Sequence, residues 1–393
     1  MSVGLLILGI FLFIMLVVVH ELGHFIVARR NGVGADEFGI FFPPRLFKKR
    51  VKSKKGDYDF TINLLPLGGF VRLHGESDSD TRPGTYGAAS LKNKTKIMLA
   101  GVAMNLLAAF VILTALAWLG MPKLVNHQFT IKSDTSVAKN EVLVGFVEKN
   151  SPAARAGLKS DDQLKSFTPV NNQGKIIKAK NAKNLSAVTK SLAGQKVIVK
   201  YLRSGQLKTT TATLRTKKIV AASLKTKNPK GYIGIAPSDY KLQRSTWSAP
   251  IVAGGLMVQF TVLTFQGLGH ALAGLGSIIA GLATGNHAAR VAGQTTASAQ
   301  VSGPVGIFEI LKHGSLLGYQ FILMIVAIIS LSLAIMNVLP IPALDGGKVF
   351  VTLGARGLHR KLTEKAEAMI YGTGFAVLIA LIILITIADV HKY

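Results

Sequence analysis

Two histidines four residues apart, His20 and His24, bracket Glu21 in the run VVVHELGHFIV. Residues i and i+4 share one face of a helix, so both imidazoles can reach a single ion. A carboxylate beside them can take a proton from a water on that ion, which is the chemistry of metal-assisted hydrolysis. The same spacing occurs by coincidence in soluble helices. Here, however, it lies near the end of an apolar run that starts at Val3. An unpaired ionisable side chain at membrane depth costs roughly 2.5 kcal/mol or more. Three uncompensated polar groups would oppose insertion, which favours a bound metal.

A catalytic zinc ordinarily has three protein ligands and an open fourth position. The chain contains no cysteine, so disulfides, thiolate ligands and a cysteine nucleophile are excluded, and the donors must be His, Asp or Glu. Asp345 stands out among membrane-depth acids, in NVLPIPALDGG (Asn337–Gly347). Pro340 and Pro342 break the preceding helix, and Gly346 and Gly347 let the backbone turn. Broken backbone at that depth is tolerated where it lines a cavity or is buried in protein. The plainer role for Asp345 is that of an acid at the membrane interface. Asn337 is a polar amide in an otherwise apolar helix; it could serve an oxyanion or a helix–helix hydrogen bond. For Asn105, in AGVAMNLLAA, packing is the better reading. The seven other histidines have no partner at ligand spacing and are given no role.

Four stretches reach the roughly 20 residues that a membrane span needs: 3–28, 97–120, 319–341 and 368–389. The first reads as a retained span, since no positive charge precedes it and its apolar run is long for a cleaved leader. Arg29, Arg30 and the Lys/Arg-rich loop to Lys96 read as cytoplasmic, as do Lys348, Arg356, Arg360, Lys361 and Lys365 in the loop 346–367. Both chain ends and the segment 121–250 then lie outside. Ala249–Leu282 is apolar but rich in Gly, Ala, Gln and Thr; it reads as a helix lying on the outer membrane surface. A fifth span is the alternative, and it would place its two flanks on opposite faces.

The net charge is +27, and 20 lysines and 4 arginines against 6 acids place a surplus of 18 between Met121 and Pro250. Aromatic residues are sparse there and no nucleic-acid motif is present, so nucleic acid is not expected as a partner. A basic segment tethered between spans suits anionic lipid or an anionic envelope polymer, or simple solubility. Within it, Val142–Leu164 offers a strand, a helix opening at Ser151-Pro152 and a tight turn. Lys196–Leu202 and Lys208–Leu214 alternate as strands about Ser204-Gly205. On the cytoplasmic side, YDFTINL (Tyr58–Leu64) alternates between apolar and polar residues. Pro66-Leu67-Gly68-Gly69 and FVRL (Phe70–Leu73) follow it, together a β-hairpin with one apolar face.

HELGH in the first span, AGVAMN in the second and NVLPIPALDGG in the third together resemble the site-2 protease family of intramembrane zinc metalloproteases. An outer domain between the second and third spans makes the chain similar to the bacterial regulator-of-sigma-E protease subgroup, over essentially its whole length. VSGPVGIFEI (Val301–Ile310) matches a stretch before the third span of that subgroup. The outer domain resembles a PDZ module present in one copy. Its turn, Gly157-Leu158-Lys159-Ser160-Asp161-Asp162, departs from the usual Gly-Leu-x-x-Gly-Asp; Asp161 tolerates left-handed backbone, so the turn can survive.

The expected fold is therefore a polytopic α-helical membrane protein with four transmembrane helices, a cytoplasmic-side membrane-associated β-hairpin and an inserted extracytoplasmic PDZ-like α+β domain. Its parts are 1–120 (two spans, HExxH and the hairpin), 121–245 (the PDZ-like domain), 246–318 (surface helix and connector) and 319–393 (two spans and the LDG motif). The resemblance implies Zn²⁺ held by His20, His24 and Asp345, Glu21 as general base and Asn337 at the oxyanion. It also points to Gly68, Gly69 and Phe70 at a strand edge that binds the unwound substrate. Substrates would be single-span membrane proteins such as anti-sigma factors, or remnant signal peptides, in the bacterial plasma membrane. An upstream site-1 type protease would already have trimmed them, with the PDZ domain as a filter or a tail binder. The rival readings are a non-catalytic membrane scaffold, which would not need Glu21, and a metal transporter. The latter would carry ionisable residues along several spans.

Overall fold

The computed structural model describes residues 3–226, 228–300, 303–359 and 362–392. Val301 and Ser302 of the connector match, and Arg360 and Lys361 of the basic loop, lie outside the described residues. In chain order, α1 (Val3–Arg30) leads into β1 (Ala35–Val51) and β2 (Tyr58–Leu73), then α2 (Leu91–Leu119). Next come β3 (Met121–Pro122), β4 (Ser136–Val147), α3 (Pro152–Arg155), β5 (Gln163–Pro169), β6 (Ile177–Lys178) and α4 (Ala182–Ser191). They are followed by β7 (Lys196–Arg203), β8 (Gln206–Thr213), α5 (Lys217–Ser223) and β9 (Ile235–Arg244). The rest is helical: α6 (Ala249–Ala283), α7 (His287–Gln300), α8 (Pro304–Gly314), α9 (Tyr319–Val338), α10 (Asp345–Gly357) and α11 (Glu364–Lys392). Among the described residues, α1, α2, α6, α9 and Glu364–Ile383 of α11 are long and apolar enough to cross a membrane. The molecule is thus a membrane protein with several apolar helices and an inserted β domain.

Two compact units divide the chain. One comprises Ala115–Val252, the start of α1 and Lys312–Ile322. Its antiparallel sheet runs in the order β3-β9-β4-β5-β7-β8, with β6 pairing β5. In β7, Val197, Val199 and Tyr201 turn inward while Lys196 and Lys200 are exposed, so the KVIVKYL alternation decides the face. The inward side chains meet Val142, Val144, Leu164 and Phe167 in the core of the unit. The turn at Ser204-Gly205 forms as the sequence predicts, both residues left-handed (φ 52° and 78°). Asp161 also adopts φ 66°, a left-handed conformation that Asp tolerates. Ser151 caps α3 by accepting from the Ala154 N–H at 3.1 Å, with Pro152 following it. At the end of α2 and just before α6, Trp118 Nε1 donates to the Thr246 carbonyl at 2.7 Å and Arg244 Nε donates to the Trp118 carbonyl at 2.8 Å. Asp134 accepts from the hydroxyls and backbone N–H groups of Thr246 and Ser248 at the start of α6. Those donors, the Ser248 and Thr246 hydroxyls foremost, hold its carboxyl well below the usual carboxylate range.

The other unit holds Ile7–Thr114, Ala253–Leu311 and Leu323–Tyr393. Its small sheet differs from the predicted hairpin. The two halves of Tyr58–Leu73 do not pair with each other; both flank β1, so that Phe38 faces Val71 on one side and Phe60 on the other. Beyond Arg45, β1 folds back to pair Phe47–Val51 with the start of β2. The sequence hid this partner because Pro43-Pro44 sits in the middle of β1, and proline argues against a strand interior. Exposed Phe42, Leu46, Leu65 and Leu67 cluster at one end of the sheet, where Phe42 opposes Leu65 and Gly68 lies against Val17 of α1. At the other end Arg29 donates to the Gly56 carbonyl at 2.7 Å beside Lys54 and Lys55. The sheet therefore runs along α1 from an apolar tip to a basic turn. That gradient matches the passage from hydrocarbon to headgroups. A buried cluster of Ala28, Val33, Leu73, Tyr86, Ile97 and Met98 fixes α1, the sheet and α2 together.

Candidate metal centre

His20 and His24 project from one face of α1 and are 7% and 5% exposed. Their Nε2 atoms lie 3.1 Å apart. Asp345, the first residue of α10, brings Oδ2 to 2.9 Å from His20 Nε2 and 3.2 Å from His24 Nε2. The prolines predicted to break the chain do so: α9 ends at Val338 and α10 begins seven residues later. Gly346 and Gly347 are required for close approach, since a Cβ on either would strike the carbonyls of Val338 and Ile341.

Three donor atoms at these separations suit a metal. With bonds of about 2.0–2.2 Å at tetrahedral angles, zinc ligands lie about 3.3 Å apart. Glu21 also falls near the histidines, all three residues offering donor atoms within 4.8 Å of one another. Asp345 is much closer to both rings, so that it would be the third donor to an ion held there, with Glu21 beside the group. Glu21 is oriented from the sheet, as Oε2 accepts the Val71 N–H at 3.2 Å. Along the same strand Gly69 packs against α1; a Cβ there would lie 3.2 Å from Val18 Cγ2 and 3.1 Å from the Gly39 carbonyl. Phe70 packs on Phe42, with ring centroids 5.9 Å apart. The Gly68–Phe70 segment thus adjoins the helix that carries Glu21. Asn337, half-buried in the last turn of α9, makes no side-chain hydrogen bond among the described residues.

The sequence reading missed the support from α2. His24 Nδ1 donates to the Ile97 carbonyl at 2.7 Å, which leaves the Nε2 lone pair for a metal. A Cβ at Gly101 would come within 2.5–2.6 Å of both imidazoles. Asn105, assigned to packing, reaches His20 Nδ1 at 3.2 Å. The signal was the spacing 97, 101, 105 on one helix face, which an apolar helix conceals.

Comparison with known proteins agrees with this geometry. The model of Peptidase family M50 matches residues 8–381. The chain belongs to that family. M50 membership makes it a zinc metalloprotease of the site-2 type, consistent with the donor set and the membrane helices. The chain is 27% identical over 385 residues to a protein of Clostridium perfringens named as a zinc metalloprotease, covering 98% of each. It is 25% identical to the zinc metalloprotease RasP of Shouchella clausii, covering 97% of each, and 23% identical to a protein of Enterococcus faecalis named as the protease Eep, covering 98% of each.

Proposed function

We propose that this M50 protease cuts peptide bonds inside the membrane-spanning segments of single-span proteins or leftover signal peptides, with His20, His24 and Asp345 as the zinc ligands. The observation that carries this reading is the convergence of these three donors at 2.9–3.2 Å next to Glu21. Zinc held there supplies Lewis acidity and a more acidic water. Glu21 takes the proton of the water that attacks the carbonyl carbon and delivers it to the departing nitrogen. The Val71 N–H fixes one carboxylate oxygen and leaves the other for that proton. Asn337, whose amide makes no side-chain hydrogen bond among the described residues, donates to the carbonyl oxygen as negative charge grows on it.

A helical substrate must unwind before attack, because its carbonyls are held in i→i−4 bonds. The outer edge of Gly69–Leu73 is the surface on which the unwound segment adds as a strand, beside Gly68, Gly69 and Phe70. A cavity of about 220 Å³ is lined by Lys348 and Thr352 of α10 together with Asp78, Tyr86 and Glu367, and brings water-sized space to within two turns of Asp345.

Four spans with both termini outside remain the topology we favour. The basic loops 29–96 and 346–367 suit the cytoplasmic side, and α7 and α8, with 14 and 11 residues, are too short for a return crossing after α6. These features support α6 as a surface or shallowly inserted helix. The sheet domain then acts as a single PDZ-like filter that admits substrates already trimmed by an upstream protease. Glu21→Gln is expected to reduce cleavage by at least about 10²-fold while bound zinc stays at the wild-type stoichiometry. Turnover surviving the substitution would sink the general-base assignment.

A further inference from the structure

We infer that Asn105 is a positioning residue for His20. It supplies the acceptor that holds the His20 imidazole in the tautomer able to bind metal, and with Ile97 and Gly101 it forms the frame that orients both histidines. This rests on the reading of His20 and His24 as ligands.

The argument starts from the asymmetry between the two rings. His24 Nδ1 has a carbonyl acceptor, Ile97 O at 2.7 Å, so its proton sits there and its Nε2 presents a lone pair. His20 needs the same arrangement, since its Nε2 faces Asp345 and His24. Its Nδ1 must then carry a proton and needs an acceptor. The only group at hydrogen-bonding distance from it among the described residues is the Asn105 amide, at 3.2 Å. Asn105 is 1% exposed, and its Oδ1 is among the few buried polar atoms that lack a hydrogen-bond partner. Turning the amide by 180° about its last torsion brings that orphaned oxygen to His20 Nδ1. The two orientations differ only in which end of the amide faces the ring, and that choice follows the protonation of the histidine.

Asn105 is itself held in place. Its backbone carbonyl accepts the Ser330 hydroxyl of α9 at 2.8 Å, tying α2 to the helix that leads to Asp345. Ile97, Gly101 and Asn105 follow at four-residue intervals, so one stripe of α2 provides an acceptor for His24, clearance for both rings and an acceptor for His20. Simple helix packing would explain a small or apolar residue at 105. It does not explain a buried amide with an oxygen left over beside a metal-site histidine.

The test is zinc affinity of the purified full-length protein, measured by competition with a chromophoric chelator, together with the visible spectrum of the Co²⁺-substituted form. Asn105→Leu keeps the volume and removes the acceptor; it is expected to weaken zinc binding by about 10- to 100-fold. Asn105→Asp keeps an acceptor; it is expected to retain affinity within a few-fold of wild type and to shift the Co²⁺ bands, because the acceptor on His20 becomes charged. Unchanged affinity in Asn105→Leu overturns the inference. Equal losses in both variants do so as well, since they indicate packing. If Asn105→Leu does not fold, Asn105→Asp alone decides: an unshifted Co²⁺ spectrum, or a tenfold loss of zinc, contradicts the assignment. His24→Ala serves as the separate check on the underlying reading. Should that variant bind zinc like wild type, the ligand assignment fails; should it lose zinc while Asn105→Leu does not, only the present inference fails.

Discussion

Glu21 and Gly101 show how little freedom the site has. The glutamate would be costly at membrane depth, and it accepts a backbone N–H from Val71 and has donor atoms of two histidines within 4.8 Å. Gly101 has the opposite task, since it contributes only the absence of a side chain. A methyl group there would press on His20 and His24 at 2.5–2.6 Å, well inside van der Waals contact. Such overpacking typically costs about 1–3 kcal/mol. Gly101→Ala is accordingly expected to lower zinc affinity about tenfold or more without unfolding the sheet domain, as read by chelator competition alongside circular dichroism. Wild-type affinity would show that α2 stands farther from the rings than the structure places it.

The same economy holds for whole elements. The strand Gly69–Leu73 is pressed against α1, so Gly69→Val is expected to push it away through Val18 and the Gly39 carbonyl. Cleavage should fall by about tenfold or more while zinc content is unchanged, because no ligand is on the strand but the Glu21 contact is. Activity and metal analysis on one preparation separate these effects. In the sheet domain, Asp134 ties the start of α6 by accepting from Thr246 and Ser248. Its pKa is depressed in the folded state, so its stabilisation is present at neutral pH and is lost as pH falls below about 3.9, the unfolded value. Asp134→Ala should therefore lower the unfolding temperature at pH 7 and make progressively less difference in acid. The residues that the structure brings together were legible in the sequence at this level, HELGH by its spacing and Asp345 by the broken helix before it, as was the Ser204-Gly205 turn by its dipeptide. The partner strand β1 was not, because its two prolines contradict the pattern of a strand. Nor was the support for the histidines, because a helix buried on several faces shows no stripe that distinguishes Asn105 from packing.

At the scale of the whole molecule, the question is how a chain with five candidate spans among its described residues brings Asp345 to His20, 325 positions away. Hydropathy could not decide the role of α6, since length and composition alone permit a crossing. The absence of cysteine makes the topology directly measurable: single cysteines can be introduced and labelled with an impermeant reagent. Cysteines at Lys52 and Lys348 are expected to label only from the cytoplasmic side, and those at Lys208 and Thr284 only from outside. Cytoplasmic labelling at Thr284 would make α6 a true span. The most direct test of the account is the zinc stoichiometry of full-length protein carrying Asp345→Ala, since the centre requires that α10 complete what α1 begins. The prediction is a fall well below the one zinc per chain expected of the wild type, with the membrane fold retained; an unchanged stoichiometry would contradict a metal centre built by His20, His24 and Asp345.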